Sequence, residues 1–383
     1  MATFSFRTAQ SIVVERGGAN RLASQVRSLG GRSVLIVTDA GVVSSGLLTN
    51  VLQGFEGEAI RYRVFRDVQA DPPESVIEAA VRSACSLQAD CVVGLGGGSS
   101  LDAAKLTALL AKSGEALADV YGIDRARGPR LPLILVPTTA GTGSEVTAVS
   151  VVTTRGGEKS VVISPHLLPD LALLDATLTT GLPPAVTAAT GIDAMVHAIE
   201  AFTSRRLKNP ISDSLACKAL DLLASNLHTA FHNPADIEAR EQMLMGACLA
   251  GMAFANAPVA AVHALAYPIG ARFHVPHGVS NALVLAPVLR FNLDRAVNHY
   301  ARLADYVLPG TMGTAASRAS SLIAYFADLP RVLGLPVRLR EVGIGESDLA
   351  QLAVDAMNQT RLLANNPREL ALEDAHDIYR SIL

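Results

Sequence analysis

The sequence predicts an α/β dinucleotide-binding domain with a parallel sheet over residues 1–180, followed by an all-helical domain over 181–383. Two observations lead to this fold class. In the first half, short apolar β-branched runs alternate with helical patterns, which implies βαβ units. Near residues 176–185 the alternation stops, and long Ala/Leu-rich segments broken by Gly and Pro take over, as at "HNPAD", "VPHG" and "GLPVR". No internal repeat and no low-complexity linker interrupts either half.

The elements follow in order. "SIVVE" leads to the helical "ANRLASQVRSL", "SVLIVTD" to "VVSSGLLTNVLQ", and "AIRYRVF" to "PPESVIEAAVRSACSLQ". "CVVGLGG" leads to "SSLDAAKLTALLAK", and "LPLILVPTT" follows. "TAVSVVTT", "SVVIS" and "LALLD" are further strand-like runs before the helical half begins.

Composition narrows the class. Half of the 383 residues are hydrophobic and 17% are charged, so the surface is thin in charge for a monomer and a homodimer is expected. A net charge of −3 without a long basic run disfavours nucleic acid as a partner. The opening "MATFSFRTAQSIVVERGG" lacks the pattern of a signal peptide, and runs such as "LPLILVP" are too short to span a bilayer. Cys85, Cys91, Cys217 and Cys248 show neither zinc-finger nor CxxC spacing and read as reduced, mostly buried thiols. The expectation is a cytoplasmic globular protein with no membrane association.

Two loops suggest a phosphate-bearing ligand. "GLGGGSSLDAAK", residues 94–105, joins a strand to a helix; glycines there let backbone amides approach an anion, and the helix N-terminus adds a favourable dipole. The stretch departs from GxGxxG, since Ser99 stands where the third glycine belongs, and a tight turn capped by Ser99 or Ser100 is the simpler alternative. "PTTAGTGSEVT", residues 137–147, follows the next apolar strand and offers hydroxyl and amide donors at a strand's carboxyl end. Two such loops after neighbouring strands favour a dinucleotide. Asp39 ends "SVLIVTD"; it either accepts from an adenosine ribose, favouring NAD over NADP, or caps the helix that follows.

The helical half carries a second constellation. In "TGIDAMVHAIEAFTS", Asp193 and His197 are four residues apart and share a helix face. Burying that carboxylate requires compensation, by hydrogen bonding or by a metal ion. Downstream, "AVHALAYPIGARFHVPHGVSNALVL" places His263, His274 and His277 within fifteen residues. Imidazoles with one carboxylate suit divalent iron, zinc, nickel or cobalt rather than calcium or magnesium. Taken singly, each histidine is as readily a core or surface residue.

"GGGSSLDAAK", "PTTAGTGSEVT", "TGIDAMVHAIEAF" and the "H…PHGVSNA" block, in this order, resemble the iron-containing (group III) alcohol dehydrogenase family over nearly the whole chain. The resemblance implies a cleft between the two domains that holds the metal, with Asp193, His197, His263 and His277 as its ligands and His274 outside them. It places Gly97, Gly98 and Ser99 on the pyrophosphate, Asp39 near the adenosine ribose, and Thr138, Thr139 and Thr142 along the cofactor. Lys159 falls near the nicotinamide-side ribose, although on its own it reads as an exposed lysine before a strand. The family commonly has a second histidine four residues after the ligand at 263. This chain has Tyr267 there, so the position reads as pocket-shaping in preference to a proton relay. Phe254 lines the apolar part of the pocket or packs in the core.

The activity implied is NAD-dependent interconversion of a small alcohol with its aldehyde or ketone, with Fe2+, or Zn2+, Ni2+ or Co2+, as Lewis acid. The alternatives on the same fold are a maleylacetate reductase, which the acid at 193 disfavours, a glycerol dehydrogenase, and a dehydroquinate synthase-type lyase, whose phosphorylated substrate would call for a basic cluster.

Overall fold

The structure is a computed structural model and describes residues 3–383. It divides into two compact units, Arg7–Gly181 and Leu182–Leu383, with residues 3–6 grouped with the second.

The first unit runs β1 (Ser11–Val14), α1 (Leu22–Ser28), β2 (Ser33–Asp39), α2 (Ala40–Ser44), α3 (Thr49–Gly57), β3 (Arg61–Val68), α4 (Glu74–Leu87) and β4 (Cys91–Gly96). It continues with α5 (Gly98–Ser113), α6 (Leu117–Val120), β5 (Gly122–Ile123), β6 (Leu133–Pro137), β7 (Val149–Thr153), β8 (Lys159–Ile163) and β9 (Leu171–Leu174). Six strands form a sheet in the order β1-β9-β6-β4-β2-β3, and every pairing is parallel. β4, β6 and β9 are buried along their whole length, as expected of parallel strands covered on both faces. The side chains of β2 alternate between two cores: Leu35 and Val37 pack with Ile77, Leu101 and Ala104, while Val34 and Ile36 pack with Val26 and Phe55. Because β3 and β4 lie on opposite sides of β2, the chain reverses direction there, and the carboxyl ends of β2, β4 and β6 stand side by side. Ligands of open parallel sheets bind at such a point.

Two details depart from the sequence reading. "VVSSGLLTNVLQ" is not one helix. α2 stops at Ser44, Gly46 takes a positive φ of 78°, and α3 restarts at Thr49. β7 and β8 pair antiparallel and, with β5, form a separate three-stranded sheet.

The second unit is helical: α7 (Pro184–Thr203), α8 (Pro210–His232), α9 (Ile237–Asn256), α10 (Ala261–Phe273), α11 (His277–Val307), α12 (Ala315–Val332), α13 (Leu349–Met357), α14 (Thr360–Leu363) and α15 (Leu372–Arg380). α7 is its core, with sixteen of twenty residues buried, so any polar side chain on it must find a partner inside the protein. Glycine allows this packing at two points. A Cβ at Gly191 would lie 2.6 Å from Leu227 Cδ1, and one at Gly278, in the first turn of α11, would lie 2.3 Å from the Ala189 carbonyl oxygen. Among the described residues no single helix is long and apolar enough to cross a membrane. All four cysteines are free thiols; Cys91, Cys217 and Cys248 are buried and Cys85 is exposed.

Candidate functional site

Asp193 and His197 lie on one face of α7, His263 on the first turn of α10, and His277 is the first residue of α11. Their candidate ligand atoms all fall within 4.8 Å of one another. Asp193 Oδ1 is 3.9 Å from His197 Nε2, 4.0 Å from His263 Nε2 and 3.5 Å from His277 Nε2. These gaps are too wide for hydrogen bonds. They approach the ~3.4 Å edge of a tetrahedron of donors set ~2.1 Å from a common cation. The donor set of three imidazole nitrogens and one carboxylate oxygen therefore fits a divalent transition metal in chemistry and in spacing.

Burial alone would push the Asp193 carboxyl up. The imidazoles of His197, His277 and His263 and the amide of Asn281 outweigh it and hold the group below the usual carboxylate range. Asp193, His197 and His263 are buried, whereas the His277 side chain keeps 34% of its surface exposed. The cluster is thus reached by solvent from the His277 side.

Two further residues bind the cluster, and the sequence reading overlooked both. Glu200, seven residues after Asp193 on α7, accepts from the Val262 amide (2.7 Å) and lies 2.6 Å from His263 Nδ1. Asn281 Nδ2 donates to Asp193 Oδ1 at 2.6 Å and sits 3.2 and 3.4 Å from His277 Nε2 and His263 Nε2. The signal for Glu200 was available as a third polar residue in the stripe 193, 197, 200. Two rings flank the ligands. Phe254 stacks on His197 at 4.3 Å between centroids, and Tyr267 lies 6.2 Å from His263 and 5.8 Å from His277. His274 is exposed, caps the C-terminus of α10 in the left-handed conformation and takes no part in the cluster.

In the first unit the glycine and threonine loops are in contact. A Cβ on Gly98 would lie 2.7 Å from Thr142 Cγ2, and the Thr138 amide donates to the Gly96 carbonyl at 3.0 Å. Gly96 has a φ of 155°, and a Cβ there would meet Ser100 at 2.7 Å and Asp39 Oδ2 at 3.2 Å. Gly97 faces only ordinary contacts with Thr139, and Ser99 lies in the first turn of α5, half-buried. Asp39 caps α2, with Oδ1 accepting from the Val42 amide at 3.0 Å, while Oδ2 accepts from Ser100 Oγ at 3.1 Å. Lys159, the first residue of β8, pairs with Asp71 at 2.8 Å.

Beneath these loops lies a polar knot that the sequence reading also missed. The fully buried Lys105 ammonium lies within 3.2 Å of Asp102 Oδ1, Ser144 Oγ, Thr147 Oγ1 and the Val149 carbonyl. Asp102 also accepts from Ser144 Oγ and from the Val151 amide. Burial lowers the Lys105 pKa, and Asp102 and Glu145 oppose it. The knot fastens α5, whose N-terminus carries the glycine loop, to the threonine loop and to β7.

Comparison with known proteins bears on both sites. Residues 9–176 match the model of the iron-containing alcohol dehydrogenases, and residues 187–383 match the C-terminal model of the Fe-containing alcohol dehydrogenase family. Long-chain-alcohol dehydrogenase 1 of Geobacillus thermodenitrificans is 41% identical over 374 residues, covering 95% of this chain and 93% of the relative. Among solved structures, a 1,3-propanediol oxidoreductase superposes with a TM-score of 0.96 at 32% identity, over 100% of both chains. The sulfoacetaldehyde reductase of Bifidobacterium kashiwanohense, solved in complex with NAD+, superposes with a TM-score of 0.91 at 29% identity, over 100% of this chain and 99% of that one. The chain therefore belongs to the iron-containing alcohol dehydrogenase family and is an oxidoreductase acting on CH–OH groups.

Proposed function

We propose that this enzyme interconverts a small alcohol and its aldehyde or ketone with NAD(H), and that Asp193, His197, His263 and His277 hold the divalent metal, Fe2+ in the cell. The observation that carries the reading is the convergence of these four side chains from three helices, their candidate ligand atoms within 4.8 Å of one another. A divalent ion held there supplies Lewis acidity toward the substrate oxygen. The chain's own residues do the rest. The nearly buried ligand set fixes the ion, the exposed side of His277 leaves an approach for substrate, and Phe254 and Tyr267 give that approach an apolar wall. Gly97, Gly98 and Ser99 receive the pyrophosphate at the N-terminus of α5, with Thr138, Thr139 and Thr142 along the cofactor and Lys159 toward its second ribose. Asp39 accepts from the adenosine ribose and repels a 2′-phosphate. The named activities of the relatives, on long-chain alcohols, 1,3-propanediol and sulfoacetaldehyde, support an alcohol–carbonyl pair as the substrate class. A cytoplasmic homodimer is part of the same proposal.

The test is metal analysis of the purified protein together with NADH oxidation against a panel of aldehydes and ketones, repeated on His277→Ala. The variant is expected to lose most of its metal and to drop at least about a hundredfold in kcat/KM, while keeping its NADH affinity. Full metal content and turnover in His277→Ala would refute the ligand assignment.

A further inference from the structure

We infer that Glu200 is a positioning residue for the metal: it fixes the tautomer of His263 so that the Nε2 lone pair points into the ligand cluster. The inference rests on reading that cluster as a metal site.

Three contacts bear on the tautomer. Asn281 Nδ2 faces His263 Nε2 at 3.4 Å. That atom is the amide nitrogen, because it lies 2.6 Å from the acceptor Asp193 Oδ1. An amide nitrogen only donates, so it offers no acceptor for a proton on His263 Nε2; of its two N–H groups one is spent on Asp193 and the other lies nearer His277 Nε2, at 3.2 Å. The tautomer is set at the other ring nitrogen: Glu200 Oε2, 2.6 Å from Nδ1, is a carboxylate oxygen that accepts, which places the ring proton on Nδ1. The other oxygen, Oε1, accepts from the Val262 amide at 2.7 Å. Both carboxylate oxygens are thus used as acceptors by two N–H groups at the start of α10, and Glu200 is itself buried, 3% exposed.

Only a carboxylate meets both demands. Glutamine has one acceptor oxygen. If it serves the Val262 amide, its NH2 faces His263 Nδ1 and drives the ring proton to Nε2, where it blocks coordination. If it serves His263, the NH2 opposes the Val262 N–H and that buried amide loses its acceptor. α7 therefore supplies two ligands and, one turn further along, the group that orients a third. Residues that orient a ligand histidine in this way typically change metal affinity 10–100-fold.

The experiment measures Zn2+ and Co2+ affinity by competition with a chromophoric chelator, on wild type and Glu200→Gln, with NADH affinity measured alongside. The expected result is a 10–100-fold weaker affinity for both ions in the variant, with NADH affinity unchanged. Wild-type affinity in a folded Glu200→Gln would overturn the inference. Failure of the wild-type chain itself to bind either ion would instead overturn the metal-site reading. Should the variant not fold, long-range 1H–15N NMR of the histidines in the metal-free wild-type chain decides the matter. A protonated Nδ1 and bare Nε2 on His263 support the inference, and a proton on Nε2 overturns it.

Discussion

Tyr267 follows His263 by one turn of α10, and its ring lies edge-on to His263 and tilted against His277. Both neighbours are proposed ligands, so the phenol borders the substrate approach whichever role it has. A phenol is a weak base at neutral pH, with an ordinary pKa of about 10 against about 6.5 for imidazole, which favours a shaping role. Tyr267→Phe should keep kcat within about fivefold of wild type, and its kcat–pH profile should stay in place. A fall of about a hundredfold would mark the loss of an acid–base group. Asp39 poses a different problem, because its carboxylate does two jobs at once. It caps α2 and anchors Ser100, so removing it confounds cofactor choice with local stability. Asparagine retains the capping oxygen and can still bond the Ser100 hydroxyl, and it removes only the charge. Asp39→Asn should therefore leave the melting temperature nearly unchanged and raise kcat/KM for NADP relative to NAD. An unmoved ratio would reduce Asp39 to its capping role.

Within the elements, the Lys105 knot has the sharpest consequence. Breaking a buried ion pair by removing one partner leaves the other charge unmatched, at a typical cost of about 3–5 kcal/mol. Lys105→Met should lower unfolding stability in urea by about 3 kcal/mol, and NADH should bind more weakly because α5 and the threonine loop lose their common anchor. A loss below about 1 kcal/mol with unchanged NADH affinity would mean the loops hold their places without it. The knot also shows where a single sequence stops being informative. The parallel strands were legible because strands covered on both faces must be continuous apolar runs, as "CVVGLG" and "LILVP" are. Asp193 and His197 were legible because they repeat at one helical turn. The distant partners of Lys105 and Glu200 were not: Asp102 three residues before Lys105 and the stripe 193, 197, 200 are local signals, but neither marks the partners that lie far along the chain. The Lys105 acceptors in the threonine loop and β7 lie 39 to 44 residues on, and the N–H groups from which Glu200 accepts lie 62 and 63 residues on. The break at Gly46 was missed because Val42 and Val43 before it and Leu47 and Leu48 after it sustain an apolar pattern across the turn.

At the scale of the whole molecule, the two proposed binding events fall on different compact units. The four candidate ligands, with Glu200 and Asn281, belong to α7, α10 and α11 in Leu182–Leu383. The glycine and threonine loops, Asp39 and Lys105 belong to Arg7–Gly181. A ligand that binds only the folded form stabilises it by mass action, by about 2.7 kcal/mol at a hundred times its Kd. That stabilisation appears only in openings that dismantle the ligand's site, because units of a protein open with their own free energies. Chelating the metal should therefore speed amide exchange in α7, α10 and α11 by up to about a hundredfold and leave β2, β4 and β6 close to their starting rates. Adding NADH to the metal-free chain should slow exchange around Gly96–Ser100 and Thr138–Thr142 and leave α7 unchanged. Hydrogen-exchange mass spectrometry resolves both sets of peptides in one experiment. If chelation deprotects β4 and β6 as strongly as α7, the units open together, and the metal acts on the stability of the whole chain instead of on the helical unit alone.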